Sequence, residues 1–436
     1  MSTKIYDFSK PEDIEDLTSL AFSEDENLQE DVNDSDESEK EDHVETRSVD
    51  SETDHVEVSD DDGNDHSGNQ ENSKDGTRWS KIVPRVTRAR SHNMMKLPGV
   101  IGQTAINAET ELDCRNLFFS NMLNMIVDST NLYIESIKAK FNRERNCRPT
   151  DLIEIRALFG LLYLAGVFRG GHRNLKDFWA SDGLGIDLFK IAMTEKRFRF
   201  LLRCLRFDDR STREERREFD KLAAVRNLFS NFIENFKKHY HLGQNVTIDE
   251  MLPAYRGRCT FRLYIPSKPN KYGIKIFCLY DAKLYYTSNM EIYCEQQPGG
   301  PFRQSNLSSD VIMRLSEPIS QSGRNITADN WFTSVELVRK LEEKKLSYVG
   351  TVRKNKRKLP ANFVLPKGRQ VFDSIFGYTK NETLVSYVPK NKSGVDVVDK
   401  LCATYNVARS TKRWPMKLQV YADLRYIPIA MHAASS

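Results

Sequence analysis

The sequence has no long hydrophobic run. Its most apolar stretch, Ala157–Phe168, is twelve residues long, whereas a bilayer-spanning helix needs about 20. The stretch reads as a buried helix, and no membrane role is indicated. Cysteine is sparse and scattered: Cys114, Cys147, Cys204, Cys259, Cys278, Cys294 and Cys402 form no CxxC pair. An odd, dispersed set argues against a disulfide framework and fits free thiols in a reducing compartment. Met1–Lys10 is polar and acids follow it, so no secretory leader is expected there. The eight His and seven Cys show no zinc-type spacing. Neither a Walker loop nor G-x-S-x-G occurs. Aromatic residues are almost missing from the first 75 positions, which cannot bury enough apolar surface to offset chain entropy.

Charge is plentiful but unevenly placed. Of 62 acids and 65 bases, residues 1–75 hold 27 and 5, leaving 35 and 60 for the rest. The head therefore carries −22 and the body +25. An acidic tail joined to a body of this charge points to a polyanion, and nucleic acid before others. Serines beside acids in "DVNDSDESEKEDHVE" resemble substrates of acidophilic kinases. "RWSKIVPRVTRAR" (78–90) then reverses the sign. It reads as a basic linker that tracks phosphates, serves nuclear import or is merely solvated.

Residues from about 108 to 240 read as helical. Leu117, Met122, Ile126 and Leu132 recur near helical spacing. Thr150 and Asp151 are candidate caps for "DLIEIRALFGLLYLAGVF", and Thr194 for "TEKRFRFLLRCLRFDD". The latter sets Lys196, Arg197, Arg199, Arg203 and Arg206 among Phe198, Leu201, Leu202 and Leu205: a basic face that either meets DNA or is solvated. "FDKLAAVRNLFSNFIENFKKHY" reads as a further amphipathic helix. After 241 the pattern turns to short β-branched and aromatic runs. Three strands, a helix, a strand, a helix and a strand is the order of a ribonuclease H-like sheet, whose sites lie at the carboxyl ends of strands.

Two apolar strands end in acid. "NVTIDEML" delivers Asp249 and "RNITADNWFTS" delivers Asp329. "SGVDVVDK" adds Asp396 and Asp399, three apart and on one face if helical. Singly, each Asp reads as a cap or turn residue. Together they form a repelling set that a cation would offset. Mg²⁺ suits it, because it takes a few carboxylate oxygens and keeps waters for a phosphate. Two such ions can activate the attacking oxygen and stabilise the leaving oxygen of a phosphodiester.

These motifs, with "VGTVRKNKRKLP", "ETLVSYVPK" and "SGVDVVDKLCATYNVARSTKRWPMKL", resemble the piggyBac transposase family over roughly residues 108–430. The resemblance implies an α/β ribonuclease H-like catalytic domain and an all-Asp triad, which falls here on Asp249, Asp329 and Asp396. Asp399 matches a further acid. It also implies two Mg²⁺ ions, strand transfer at TTAA, double-stranded DNA as partner, a homodimer and a nuclear location. The expected organisation is a disordered acidic tail at 1–76, a basic linker at 77–107, a helical dimerisation and DNA-binding region at 108–240, and the catalytic domain at 241–436. Two departures stand out. "LVSYVPKNK" runs straight into "SGVD", so the β insertion at about 354–392 is shortened, by an estimated thirty residues against the family pattern. A cysteine-rich zinc-binding end, frequent in the family, does not follow "RWPMKL" before Ser436.

Basic residues surround the motifs. Arg256, Arg258, Arg262, Lys268, Lys271 and Lys275 follow the first Asp among Tyr255, Phe261, Tyr264 and Tyr272, and either hold phosphates or form a solvated hairpin face. Arg353, Lys354, Lys356 and Arg357 form a second strip, suited to a DNA backbone, nuclear import or plain solvation. Arg409, Lys412 and Arg413 form a third. Trp331 reads as packing rather than as a base-stacking residue. The favoured function is metal-dependent DNA cleavage and transfer. The alternative is a domesticated or decayed copy that binds DNA or partners without catalysis.

Overall fold

The computed structural model describes residues 45–46, 70–84, 98–103, 107–168, 174–183, 185–266, 268, 271–284, 286–364, 368–388 and 413–416. After a two-residue strand at Glu45–Thr46, which pairs in parallel with Leu263 and Tyr264, come two short strands, β1 (Gln70–Asn72) and β2 (Arg78–Ser80). They pair as an antiparallel hairpin. Its turn holds Asp75, whose Oδ1 accepts the Thr77 N–H at 3.0 Å, and Gly76 at φ +85°, a conformation in which a Cβ is strained. The expected boundary between tail and linker at residue 76 thus falls inside a hairpin. Trp79 fixes it: the indole is 2% exposed and donates to the Lys358 carbonyl at 2.9 Å.

Four longer helices follow: α1 (Glu111–Ile137), α2 (Leu152–Val167), α3 (Glu195–Cys204) and α4 (Arg226–His239). Their starts are chemically marked. Thr110 and Asp113 cap α1 reciprocally, Asp151 caps α2, and Thr194 caps α3, each satisfying backbone N–H groups that lack helical partners. Phe118, Phe119, Met122, Leu123 and Ile126 of α1 are buried with Phe232 and Phe236 of α4. Leu132, expected on the buried stripe, is 56% exposed, while Tyr133 and Ile134 take the inward positions.

The basic face of α3 is largely consumed by packing. Arg197 grips Glu154 with two bonds of 2.8 and 2.6 Å and donates to the carbonyls of Arg148 and Pro149. Arg206 is 6% exposed, stacks 3.5 Å over the Tyr133 ring and donates to the carbonyls of Arg203 and Leu205. These guanidiniums join helices to one another, as planar five-donor groups can.

The second half contains β3 (Asn245–Met251), β4 (Arg262–Tyr264), β5 (Tyr272–Ile274), β6 (Ile276–Asp281), β7 (Thr287–Ile292), α5 (Ser308–Leu315), β8 (Asn325–Ala328), α6 (Val335–Glu343) and β9 (Ser347–Gly350). Five strands form one sheet in the order β7-β6-β3-β8-β9. β6 is antiparallel to β3 and β7, while β8 is parallel to β3 and β9. All six residues of β6 are buried, so the middle of the sheet is covered on both faces. Three antiparallel strands continued by two parallel ones, with helices between, make this the ribonuclease H-like fold. "KYGIKIFCLYD", expected as one strand, breaks at Lys275 into β5 and β6.

Two further strands, β10 (Ser374–Tyr378) and β11 (Thr383–Tyr387), lie in the segment expected to hold a shortened β insertion. They do not stand alone: β2 pairs with β10, giving a four-stranded sheet β11-β10-β2-β1. The hairpin around Trp79 therefore extends this sheet from far upstream. At the other extreme, Trp414 and Met416 are buried, and Trp414 packs edge-on against Phe261 at 5.0 Å.

Candidate active site

Because β3, β8 and β9 are parallel, their carboxyl ends open on one side. The register sets Ile248 of β3 beside Ala328 of β8. Asp249 and Asp329 are the next residues on these neighbours, whose backbones run about 4.8 Å apart. Val246, Ile248, Ile326 and Ala328 are buried, so apolar residues fasten the two strands just before each acid. Asp249 is half-buried, and its Oδ1 accepts the Glu250 N–H at 2.8 Å.

Asp329 lies just beyond β8. Its Oδ1 accepts the Trp331 N–H at 3.0 Å, and its carbonyl accepts the Thr333 hydroxyl at 2.7 Å. Thr333 in turn meets the Tyr348 hydroxyl at 2.9 Å. The turn is packed to contact: a Cβ on Gly350 would sit 2.5 Å from Thr333 Oγ1 and 2.9 Å from the Ala328 carbonyl oxygen. Burial and Asp329 push the Tyr348 phenol up to about 12, against the Thr333 bond.

The Asp329 carboxyl is raised above its ordinary value. Surrounding protein thins its hydration, Glu250 repels it, and the N–H groups of Trp331 and Phe332 with the Lys275 charge only partly offset this. The carboxylate nevertheless reaches solvent. Glu250 adds a second stress. Its Oε2 is buried with no hydrogen-bond partner, while Lys268 approaches its Oε1 at 4.0 Å. Hard oxygen donors under mutual repulsion, one of them unsatisfied, suit a divalent cation. Among the described residues no three His, Cys, Asp or Glu side chains cluster closely enough to hold a metal ion. Asp396 and Asp399 lie outside the described residues.

Glu250 is not among the site residues expected from sequence. Strand alternation sends it to the face opposite Asp249, which discounts it, yet the strand end brings its charge to Asp329. The only signal was its place directly after the first Asp.

The basic residues divide. Arg256, Arg258 and Lys271 are exposed near the carboxyl end of β3, and Lys354, Lys356 and Arg357 are exposed beyond β9, with Arg353 half-buried. These loops leave the same end of the sheet as the acids. Arg262 corrects the expectation of a surface cation: it is 7% exposed and closes a turn by donating to the Arg256 and Gly257 carbonyls at 2.8 and 2.6 Å. Arg413 is likewise committed, donating to the carbonyls of Leu202, Arg203 and Leu205 at the end of α3. Arg409 and Lys412 lie outside the described residues. Trp331 stacks on Phe277 at 5.4 Å and 13°, as packing requires.

A sheet of this order with acids at the carboxyl ends of its first and fourth strands is the framework of a ribonuclease H-like nucleic-acid enzyme. A family model described as Transposase IS4 matches residues 113–386. A cryo-EM structure of a piggyBac transposase synaptic complex with hairpin DNA superposes with a TM-score of 0.69 and 33% identity, covering 78% of each chain. Two human proteins are similar: PiggyBac transposable element-derived protein 2 at 27% identity, over 54% of this chain and 39% of its own length, and PiggyBac transposable element-derived protein 3 at 25%, over 46% and 34%. The alignments thus span little more than a third of these curated relatives. The chain belongs to the piggyBac transposase family.

Proposed function

We propose that this chain cleaves and joins DNA strands at TTAA sites, using divalent ions held by Asp249, Asp329 and Asp396, with Asp399 as an additional ligand. The observation that carries the reading is the register-matched pair of strand-end acids, Asp249 and Asp329, one of them electrostatically strained. Bound Mg²⁺ would supply the charge that activates a water and stabilises the leaving oxygen. The chain's own residues do the positioning. β3 and β8 fix the spacing of two carboxylates. The Thr333–Tyr348 contact holds the turn that carries Asp329. Arg256, Arg258, Lys271 and the 353–357 loop line the approach and bind backbone phosphates. The related structure contains hairpin DNA, which supports a double-stranded partner and a nuclear site of action. We also infer that the chain works as a homodimer, as the family resemblance implies.

A second reading, DNA binding without cleavage, is favoured by the short run between Tyr387 and Asp396, because misplacing a reactive group by about 1 Å can cost a hundredfold. A Mg²⁺-dependent excision assay on a TTAA-flanked element separates the two. Robust excision by the wild type, lost in both Asp249→Ala and Asp396→Ala, supports the enzyme. Tight, salt-sensitive DNA binding with no excision supports the binder. Neither binding nor excision would sink both. A body that contacts about six phosphates should lose roughly a thousandfold in affinity between 50 and 200 mM salt.

A further inference from the structure

Lys275 stands at the break between β5 and β6, where its carbonyl accepts the Tyr293 N–H at 2.9 Å. β6 runs antiparallel to β3 with Ile276 beside Met251. Lys275 therefore arrives at the end of the sheet that carries Asp249 and Asp329. Its ammonium lies 4.5 Å from the Trp331 ring centre and 4.8 Å from that of Phe277, and these two rings stack on each other. Aromatic faces hold a cation by its charge rather than by its N–H donors. The charge is also near enough to Asp329 to offset part of the repulsion there.

The platform and the acid share one turn. Trp331 donates its backbone N–H to Asp329 and lends its ring to Lys275. Any movement of this turn moves both together. The other basic residues of the 256–275 strip are placed differently: Arg256, Arg258 and Lys271 are exposed, Arg262 is buried in a turn, and Lys268 is drawn to Glu250. Lys275 is the residue of that strip placed over rings beside a proposed metal ligand.

Building on the cleavage reading above, we propose that Lys275 is a catalytic residue whose ammonium takes a non-bridging oxygen of the scissile phosphate. In phosphodiester cleavage a water oxygen forms a bond to phosphorus as the phosphorus–O3′ bond breaks. The products are a 5′ phosphate and a 3′ hydroxyl, and the proton given up by the water balances the one gained by O3′. Divalent ions held by Asp249, Asp329 and Asp396 would supply charge for the attacking and leaving oxygens. Negative charge on the equatorial oxygens is then left for a third cation, and preorganised charge at that place is among the strongest aids to such a reaction. Before DNA arrives, Lys275 balances the acids. With divalent ions bound, Lys275 would be able to turn its N–H donors to the phosphate from its aromatic seat.

The test uses the full chain and a hairpin-ended duplex. Successive phosphates around its TTAA junction are replaced, one at a time, by neutral methylphosphonate. Affinity is read in Ca²⁺, and strand cleavage in Mg²⁺. One substitution should weaken binding by the wild type about tenfold, the worth of a charge-assisted hydrogen bond. The same substitution should cost Lys275→Gln less than about twofold, because the partner charge is already gone. Lys275→Arg should retain most of the wild-type sensitivity. Lys275→Met, which preserves packing on the rings, replaces Lys275→Gln if that variant melts at lower temperature. An equal loss in wild type and variant at every position overturns the proposal, as does wild-type insensitivity at every position. A wild type that does not bind the duplex at all overturns the proposed function itself. A wild type that binds with this pattern but never cleaves leaves the phosphate contact standing and removes the catalytic role.

Discussion

The two ends of the central sheet treat the same side chain in opposite ways. At the amino end of β3 and β8, Asp281 is 2% exposed. Its Oδ2 accepts the Gly243 N–H at 2.6 Å, and its Oδ1 accepts those of Lys283 and Leu284 at 2.9 and 3.0 Å. Arg324 stands close by, bonded to the Leu242 and Gly243 carbonyls, with its guanidinium pKa lowered by burial and supported by the Asp281 charge. Every lone pair in use there has a donor. At the carboxyl end, Asp329 is raised by thin hydration and by Glu250, and Glu250 keeps a buried oxygen without a partner. One end is arranged to fasten strands. The other tolerates repulsion that a bound cation would relieve. Burial of an acid is therefore not itself a mark of function; an incomplete set of donors is the better sign.

The comparison can be broken most forcefully at Asp281. Asp281→Ala should cost on the order of 3–5 kcal/mol, since three N–H groups lose their acceptor and Arg324 loses its counter-charge. Urea denaturation measures this, and a loss below about 1 kcal/mol would contradict the fastening role. Next in size, Gly350→Ala should cost about 1–3 kcal/mol through overpacking of the Thr333–Tyr348 contact. Ultraviolet titration checks the mechanism, because the Tyr348 phenol should fall from about 12 toward its ordinary value. A normal melting curve with an unmoved phenol would show that the turn yields freely.

The smallest effect should have the opposite sign. Asp329→Asn should stabilise the metal-free protein, raising Tm by about 1–2 °C. The raised carboxyl holds its proton more firmly when folded than when unfolded. Wild-type stability therefore falls as pH rises above the ordinary value of 3.8 and levels off beyond the folded value. The gain from Asn is absent below that window and complete above it. Calorimetry at two pH values reads it, and added Mg²⁺ should reverse the order of the two proteins. Equal melting temperatures at neutral pH, with and without Mg²⁺, would leave Asp329 as an ordinary turn residue.

Much of the sheet could be read from sequence because apolar alternation runs through β3 and β8 up to the acids Asp249 and Asp329. Helix starts at Asp151 and Thr194 were equally legible, since a cap acts within three residues of itself. What escaped depends on distant partners. Arg197, Arg206, Arg262 and Arg413 look like surface cations in any local window, yet each is occupied by carbonyls, a carboxylate or a ring. The hairpin around Asp75 and Gly76 carried its own turn signal, but the acidic composition of the first 75 residues outweighed it. Its pairing with β10 joins positions nearly 300 residues apart, which no periodicity reports.

Arg413 and Trp414 have a consequence for the acid upstream of them. Val388 continues from β11 on the insertion sheet, with its N–H bonded to the Asp373 carbonyl at 3.1 Å, and Arg413 is clamped to the end of α3. Asp396, outside the described residues, follows Val388 by eight positions, a span of at most about 28 Å at full extension. Shortening such a span changes the entropy of closing it only with the logarithm of its length. The two fixed ends bound the distance from which any carboxylate between them can approach the sheet.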